Sequence, residues 1–403
     1  MSKECNRCLN VESYDTLMQQ RISITPNGLC NQCIEWDQNS EEFNNYRLKA
    51  REQLPKIFDE VKKEKHQYDA LVSLSGGKDS SVALILAKEK YHLNVLAFTT
   101  DKGNFYDGIR ENIIQLTDNL GVDHVFIKTP KPLLTQLYRF GLTTLSTAGV
   151  QCKMCGGLVH LPIFSRFLLN YDVKVVITGL DLWEIQAAHT YETKRNQPLI
   201  NPFLYTTPAL RERWNRYQLT IDDCLGYLKQ FAKESDFPQL KTELLEIANG
   251  LIARYGLSSS EIERFNKLNF YEIGLTGIEI SNKKEQLEIL NKYGWKPARH
   301  MFTGEIIGTD CKIGGVINAL NSLKFKRKIW SYQIRSGLVT KQEALDEINK
   351  KAPNIAILCQ SLKDLGLKKL ENRLSLGWKN NRFKDLYNLE VIEEINRQLD
   401  SSQ

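Results

Sequence analysis

Apolar residues recur along this chain in two rhythms, and their alternation predicts its architecture. YDALVSLS (68–75) is a near-continuous apolar run suited to a buried strand, and SVALILAKEKYH directly after it has helical spacing. The same couple returns downstream. NVLAFTTDKG (94–103), VDHVFIKT (122–129) and VKVVITGLDLWEIQ (173–186) read as three further strands, with helical stretches between them. Repeated βα units predict a doubly wound, mostly parallel sheet with helices on both faces, and such sheets bind ligands beyond the carboxyl ends of their strands. Those ends carry Thr99, Thr100 and Asp101 on the second strand, and Thr178, Gly179 and Asp181 on the fourth. Upstream, EEFNNYRLKAREQLPKIFDEVKKEKHQ is charged and helical in spacing, a connector over 41–66 that Pro55 is expected to break or kink. Residues 190–265 read as a mainly helical insertion in an α/β domain spanning 67–297. Residues 298–403 read as helices that cap the site or pair with another subunit, with a homodimer as one outcome.

Composition adds bounds. With 403 residues, 42% hydrophobic and 25% charged, the chain is long enough for two or three globular domains and is not of disordered type. Its longest apolar runs fall short of the roughly 18 residues a membrane span needs, and MSKECNRC has no apolar signal core, so no membrane insertion and a cytoplasmic location are expected. The formal charge of +6 is modest; KFKRK (324–328) suits an RNA contact or a solvated helix face, the latter being commoner.

The cysteines change the picture more. Six of the nine fall in three CxxC pairs: Cys5/Cys8, Cys30/Cys33 and Cys152/Cys155. Without a secretion signal, such pairs more often hold metal or do redox chemistry than form disulfides. The first two, in CNRCLNVESYDTLMQQRISITPNGLCNQC, have the spacing of two knuckles closing a tetrahedral Zn²⁺ site over residues 1–40, an iron–sulfur cluster being the competing reading. A closed thiolate site is structural, and lets a short segment fold with little core.

Between the first strand and its helix lies SLSGGKDSSVALILAKEK (73–90). Gly76 and Gly77 permit backbone conformations closed to other residues, and the unpaired N–H groups of the helix start favour an anion. The turn matches neither GxxxxGK[ST] nor GxGxxG. SGG alone is also compatible with a plain strand-to-helix turn.

In this context SGGKDS resembles the pyrophosphate-loop signature SGGxDS of the ATP pyrophosphatase, or adenine nucleotide alpha hydrolase, superfamily, which includes asparagine synthetase, GMP synthetase and tRNA thiolases. The resemblance implies that ATP is cut between its α and β phosphates, that AMP is joined to a substrate oxygen, and that a nucleophile then displaces AMP. Ser75, Gly76, Gly77, Asp79 and Ser80 are the matching loop positions, with Lys78 and Asp79 as catalytic candidates. It further implies an adenine pocket lined by Thr99 and Thr100, and nucleotide and Mg²⁺ near Gly179 and Asp181. Asp79 and Asp181 are the candidate Mg²⁺ carboxylates, although Asp181 equally suits a helix N-cap.

The order of parts narrows the resemblance. A CxxC…CxxC head with GLCNQC, then SGGKDS, NFYEIGL, KKEQLEILNKYGWK and RSGLVTKQEALDEI is similar to the N-acetyl sugar amidotransferases of surface-polysaccharide (lipopolysaccharide-type) and flagellar-sugar pathways. That likeness implies conversion of an acetamido group on a nucleotide-linked sugar to an acetamidino group, with ammonia from a separate glutaminase. GVQCKMCGGL (149–158) departs from it and resembles the tRNA-thiolating relatives, in which such a pair and a third cysteine bind a [4Fe–4S] cluster, which implies a sulfur donor protein and an RNA or small-molecule substrate. Cys311 in GTDCKIGG is the better third ligand, ahead of Cys224 in a helical stretch. Other uses of Cys152 and Cys155 are a second zinc site with His160 or His189, a redox disulfide carrying persulfide, or two buried thiols. Arg211, Arg213 and Arg216 could meet the phosphates of a sugar nucleotide or RNA, a solvated helix face being the usual case.

Overall fold

The computed structural model describes residues 3–15, 20–145, 154–187, 201–206, 221–229 (save 223 and 227), 232–297, 311–320, 323–350, 353–370 and 387–401. Near the amino terminus, β1 (Ser13–Asp15) and β2 (Gln20–Ile22) form an antiparallel hairpin. Then α1 (Asn31–Lys63) starts at the second cysteine pair, with Cys30 as its N-cap. At about 1.5 Å per residue it is some 50 Å long. It runs through Pro55, correcting the expected break: Ala50, Leu54, Ile57, Phe58 and Val61 keep a continuous buried stripe, and tertiary packing outweighs the one backbone bond that proline removes. The head and connector therefore share one helix.

A six-stranded sheet follows, ordered β5-β4-β3-β6-β8-β7. Its strands are β3 (Ala70–Ser73), β4 (Val95–Asp101), β5 (Asp123–Lys128), β6 (Val175–Thr178), β7 (Leu204–Thr206) and β8 (Tyr271–Gly274). All neighbours are parallel except β7, which runs antiparallel to β8 at the edge. The four strands read from apolar runs are β3 to β6, and NFYEIGL supplies β8. The edge strand β7 lies inside the stretch that reads as a mainly helical insertion.

Helices α2 (Lys78–Ile85), α3 (Ile109–Leu120), α4 (Lys131–Phe140) and α5 (Leu161–Tyr171) connect the strands. The insertion supplies α6 (Phe237–Tyr255) and α7 (Ser259–Phe265), and β8 leads to α8 (Leu275–Glu279) and α9 (Lys283–Lys292). Helix α2 packs against α3, α8 and α9, whereas α6 packs on α4 and α7 on α5. Arg47 and Arg51 of α1 donate to the carbonyls of Ile278, Glu279 and Ile280, so the connector caps the end of α8. Because β4 and β5 lie to one side of β3 and β6 to the other, the chain reverses direction between β3 and β6, the place where such sheets open a crevice.

Beyond 310 come α10 (Lys312–Leu320), α11 (Leu323–Arg335), α12 (Lys341–Lys350), α13 (Ile355–Asp364) and α14 (Leu389–Asp400). Helices α11 and α12 hold the amino-terminal head. Ser331 Oγ accepts from the Leu9 N–H at 3.1 Å, Arg327 pairs with Glu4 at 2.7 Å, and Lys341 donates to the Cys5 carbonyl at 2.8 Å. Arg327, in the basic run KFKRK, is thus an intramolecular ion-pair partner. No described helix is long and apolar enough to cross a membrane.

Candidate active site and metal centre

The loop after β3 is built from its own serines and glycines. Gly76 has φ +77° and Gly77 is the N-cap of α2. The Ser80 hydroxyl accepts from the Ser75 N–H at 3.1 Å and lies 3.0 Å from the Ser75 hydroxyl, which accepts from the Gly77 N–H at 3.3 Å. These bonds tie the turn down while the first-turn N–H groups of α2 have no partner within the helix. A Cβ on Gly76 would meet Ile113 Cγ1 at 2.8 Å and Ile109 Cγ2 at 2.9 Å, and one on Gly179 would lie 2.4 Å from the Ser80 nitrogen. Gly179 therefore lets the end of β6 touch the start of α2, a backbone-packing role that brings Asp181 to the loop.

Four polar side chains converge there. Buried Lys78 pairs with Asp79, lies 3.8 Å from Asp181 Oδ2 and donates to Gln286 Oε1 at 2.5 Å. Gln286 in turn donates to Asp79 Oδ1 at 2.9 Å, Thr276 donates to the Asp79 carbonyl at 2.9 Å, and the Trp295 indole donates to the Gly76 carbonyl at 3.0 Å. Asp181 is an N-cap as well: Oδ1 accepts from the N–H groups of Trp183 and Glu184, and Glu184 Oε2 accepts from the Asp181 N–H at 3.2 Å. Burial, and then the Asp79 carboxylate, lift the Asp181 carboxyl to about 7; burial and Asp181 push Glu184 up as well. Asp79 and Asp181 both lie at Lys78, while Glu184 bonds the Asp181 N–H; two carboxylates beside a glycine turn are the kind of donor set Mg²⁺ takes together with phosphate oxygens.

Gln286, Thr276, Trp295 and Glu184 are site residues that the sequence motifs do not mark. A signal existed for two of them. Gln286 sits four residues before buried Leu290 on the inner stripe of α9, where an apolar residue is expected, and Asp181–Glu184 has the capping-box spacing.

Thr99 and Thr100 are buried. Thr99 donates to the Leu74 carbonyl at 2.5 Å and bonds His124 Nε2 at 2.8 Å; Thr100 bonds His160 Nδ1 at 3.2 Å. His160 Nε2 meets Ser73 Oγ at 3.1 Å, and its ring stacks on Phe98 at 5.4 Å. Both of its nitrogens join strand ends, so His160 acts as a structural bridge between β3 and β4. Burial holds its imidazole down to about 3, and that of His124 to about 4. Asp101 pairs with Arg110 and accepts from the Gly103 N–H at 2.8 Å, shaping the loop after β4.

Cys155 is buried, 3.6 Å from the Tyr138 hydroxyl. Cys311 is half-buried and pairs its backbone with Phe105, in the loop after β4. Cys224 is buried in a helical stretch. Cys152, His189, Arg211, Arg213 and Arg216 lie outside the described residues. Among the described residues, neither Cys155 nor Cys311 belongs to a group of three metal-ligating side chains.

Cys5, Cys8, Cys30 and Cys33 do form such a group, all fully buried with their sulfurs within 4.8 Å of one another. Backbone N–H groups aim at the sulfurs: Cys30 to Cys5 at 3.3 Å, Cys33 to Cys30 at 3.4 Å and Asn10 to Cys8 at 3.5 Å. Arg335 of α11 reaches Cys8 Sγ at 3.9 Å. Four convergent soft donors, with N–H bonds and a cation to offset thiolate charge, fit Zn²⁺.

No known family profile matches the sequence. An uncharacterised protein of Methanocaldococcus jannaschii is 25% identical over 179 residues, 44% of this chain; the match spans 59% of that relative's length. Three solved structures are similar at low identity and low TM-score. NMN synthetase from Francisella tularensis is 17% identical, covering 56% of this chain and 91% of its own, with a TM-score of 0.28. The U34-tRNA thiolase NcsA from Methanococcus maripaludis, with its [4Fe–4S] cluster, is 16% identical, with coverages of 78% and 95% and a TM-score of 0.27. The NH₃-dependent NAD synthetase from Campylobacter jejuni, in complex with nitrate, is 14% identical, with coverages of 66% and 98% and a TM-score of 0.26.

Proposed function

We propose that this chain is an ATP-dependent adenylating enzyme of the pyrophosphate-loop class. The observation that carries the reading is the SGGKDS turn itself: a left-handed Gly76 and the N-cap Gly77 open α2 at the reversal of the parallel sheet, with Lys78, Asp79 and Asp181 gathered beside it. In this reading the first-turn N–H groups and Lys78 bind the β and γ phosphates. Asp79 and Asp181 would hold Mg²⁺, which supplies charge neutralisation on the phosphate oxygens. Gln286 fixes the Lys78 and Asp79 side chains, and Trp295 and Thr276 hold the loop backbone. The substrate's carbonyl oxygen attacks the α phosphorus, pyrophosphate leaves, and the AMP-bearing carbon becomes open to a nucleophile.

For the nucleophile we favour ammonia, delivered by a glutaminase partner, with an N-acetylated nucleotide sugar as substrate, because the motif order similar to the sugar amidotransferases spans the chain. The four-cysteine head would carry structural zinc, joining the termini through α11. The test is product analysis with ATP, ammonia and an acetamido nucleotide sugar: AMP and pyrophosphate are expected, and ADP with phosphate would overturn the reading. A second reading, sulfur transfer to RNA or a small molecule, has one observation in its favour: Cys311 pairs with the loop after β4, at the carboxyl end of the sheet. It predicts brown, iron-containing protein after anaerobic purification, with the colour lost in Cys311→Ala; colourless, iron-free protein that incorporates ammonia excludes it.

A further inference from the structure

A cavity of about 570 Å³ lies against β5, the exposed edge of the sheet, and shares no residue with the loop cluster. Its volume is in the range of small-molecule sites. Val125 and Ile127 of β5 and Ile163 of α5 supply an apolar wall, of which the two β5 side chains are only half-buried. Phe167 and Tyr171 continue it as two nearly parallel rings, centroids 6.0 Å apart at 12°. Such a wall suits a flat apolar body.

The polar end is cationic. Arg166 lines the cavity but is engaged, donating to the Gly256 carbonyl at 2.7 Å and lying 3.5 Å from Glu261. Arg254, in the last turn of α6, is exposed, and its polar neighbour is Tyr255. Beside it stands Tyr255, 6% exposed, whose hydroxyl has the Arg254 guanidinium next to it and forms no well-aligned hydrogen bond with any described group. A guanidinium has five N–H donors and a tyrosine hydroxyl beside it keeps its own proton to donate, so this pair lines the cavity with donor capacity to spare.

We propose that this cavity binds a small organic anion with a flat apolar body, its carboxylate or phosphate on Arg254 and Tyr255 and its body on the Phe167–Tyr171 wall. A charge-assisted bond from guanidinium to anion, joined by the tyrosine hydroxyl, fixes orientation, while the rings and aliphatic residues supply the burial.

The test uses the full-length protein and two fluorescent probes of nearly the same body: 1-anilinonaphthalene-8-sulfonate, an anion, and N-phenyl-1-naphthylamine, which is neutral. The anion should bind saturably and more tightly than the neutral probe. Arg254→Ala should weaken it by about tenfold and Tyr255→Phe severalfold, with the neutral probe unaffected. Far-UV circular dichroism and the melting temperature establish that both variants fold. Saturating ATP should not displace the probe, since the loop lies elsewhere. The proposal is overturned if binding is not saturable, if both probes bind equally, if neither variant weakens the anion, or if ATP competes with it.

Discussion

Gly76→Ala separates two physical costs that usually arrive together. The residue has φ +77°, a left-handed conformation that costs an L-residue about 1–2 kcal/mol. Its new methyl would also lie 2.8 Å from Ile113 Cγ1, 2.9 Å from Ile109 Cγ2 and 3.0 Å from the Ile109 carbonyl oxygen. Two of those atoms are core side chains of α3 and the third is backbone, so relief requires moving the helix or the loop, an overpacking cost of about 1–3 kcal/mol. The sum is about 2–5 kcal/mol. Gly121, at the other end of α3, provides the reference: its φ is +58°, and nothing lies within 4 Å of a Cβ there. Gly121→Ala should therefore show only the backbone term, about 1–2 kcal/mol. Urea unfolding of both variants at unchanged m-value measures the difference, and equilibrium binding of ATP reports the loop. The expected result is a larger stability loss at Gly76, with nucleotide affinity lost there and kept in Gly121→Ala. Equal losses in the two variants would refute the claim that the loop is packed hard against α3.

Elemental analysis of the wild-type protein should find one zinc per chain, and Cys30→Ser should abolish it. It should also raise the proteolytic sensitivity of α11 and α12, because the head they grip through Leu9, Glu4 and Cys5 would no longer be closed; retained zinc would contradict the four-thiolate site. Gln286→Leu removes a partner from both Lys78 and Asp79 and should weaken ATP binding about tenfold while zinc content stays constant; an unchanged dissociation constant would deny Gln286 its positioning role. His160 titrates near 6.5 when unfolded but is held to about 3 in the fold, so below 6.5 the unfolded chain binds the extra proton and stability falls as pH drops toward 3. His160→Phe should flatten that part of the stability–pH profile by about 1.4 kcal/mol per unit, and an unaltered slope would place the titration elsewhere.

The local chemistry of the loop and the head could be read from one dimension. Apolar runs of strand length followed by helical spacing imply β3 to β6, because the period of burial is a property of the chain itself. Two CxxC pairs imply a thiolate cluster, and glycines before a helix start imply an anion-sized opening, since both depend on neighbours a few residues apart. Pro55 misleads as a helix breaker because the propensity of a single residue does not include the buried stripe that holds α1 together. The contacts that span the sequence depend on how the elements pack. Gln286 reaches Asp79 from 207 residues away, Trp295 reaches Gly76 from 219, and Arg335 reaches Cys8 from 327. No pattern along the chain encodes those pairings. They follow from the sheet order, which sets β8 and its helices against α2, and from the packing of the carboxyl-terminal helices on the head. Gly179 shows the same division: its identity is plain in the sequence, but the 2.4 Å approach that demands it exists only once β6 lies beside the start of α2.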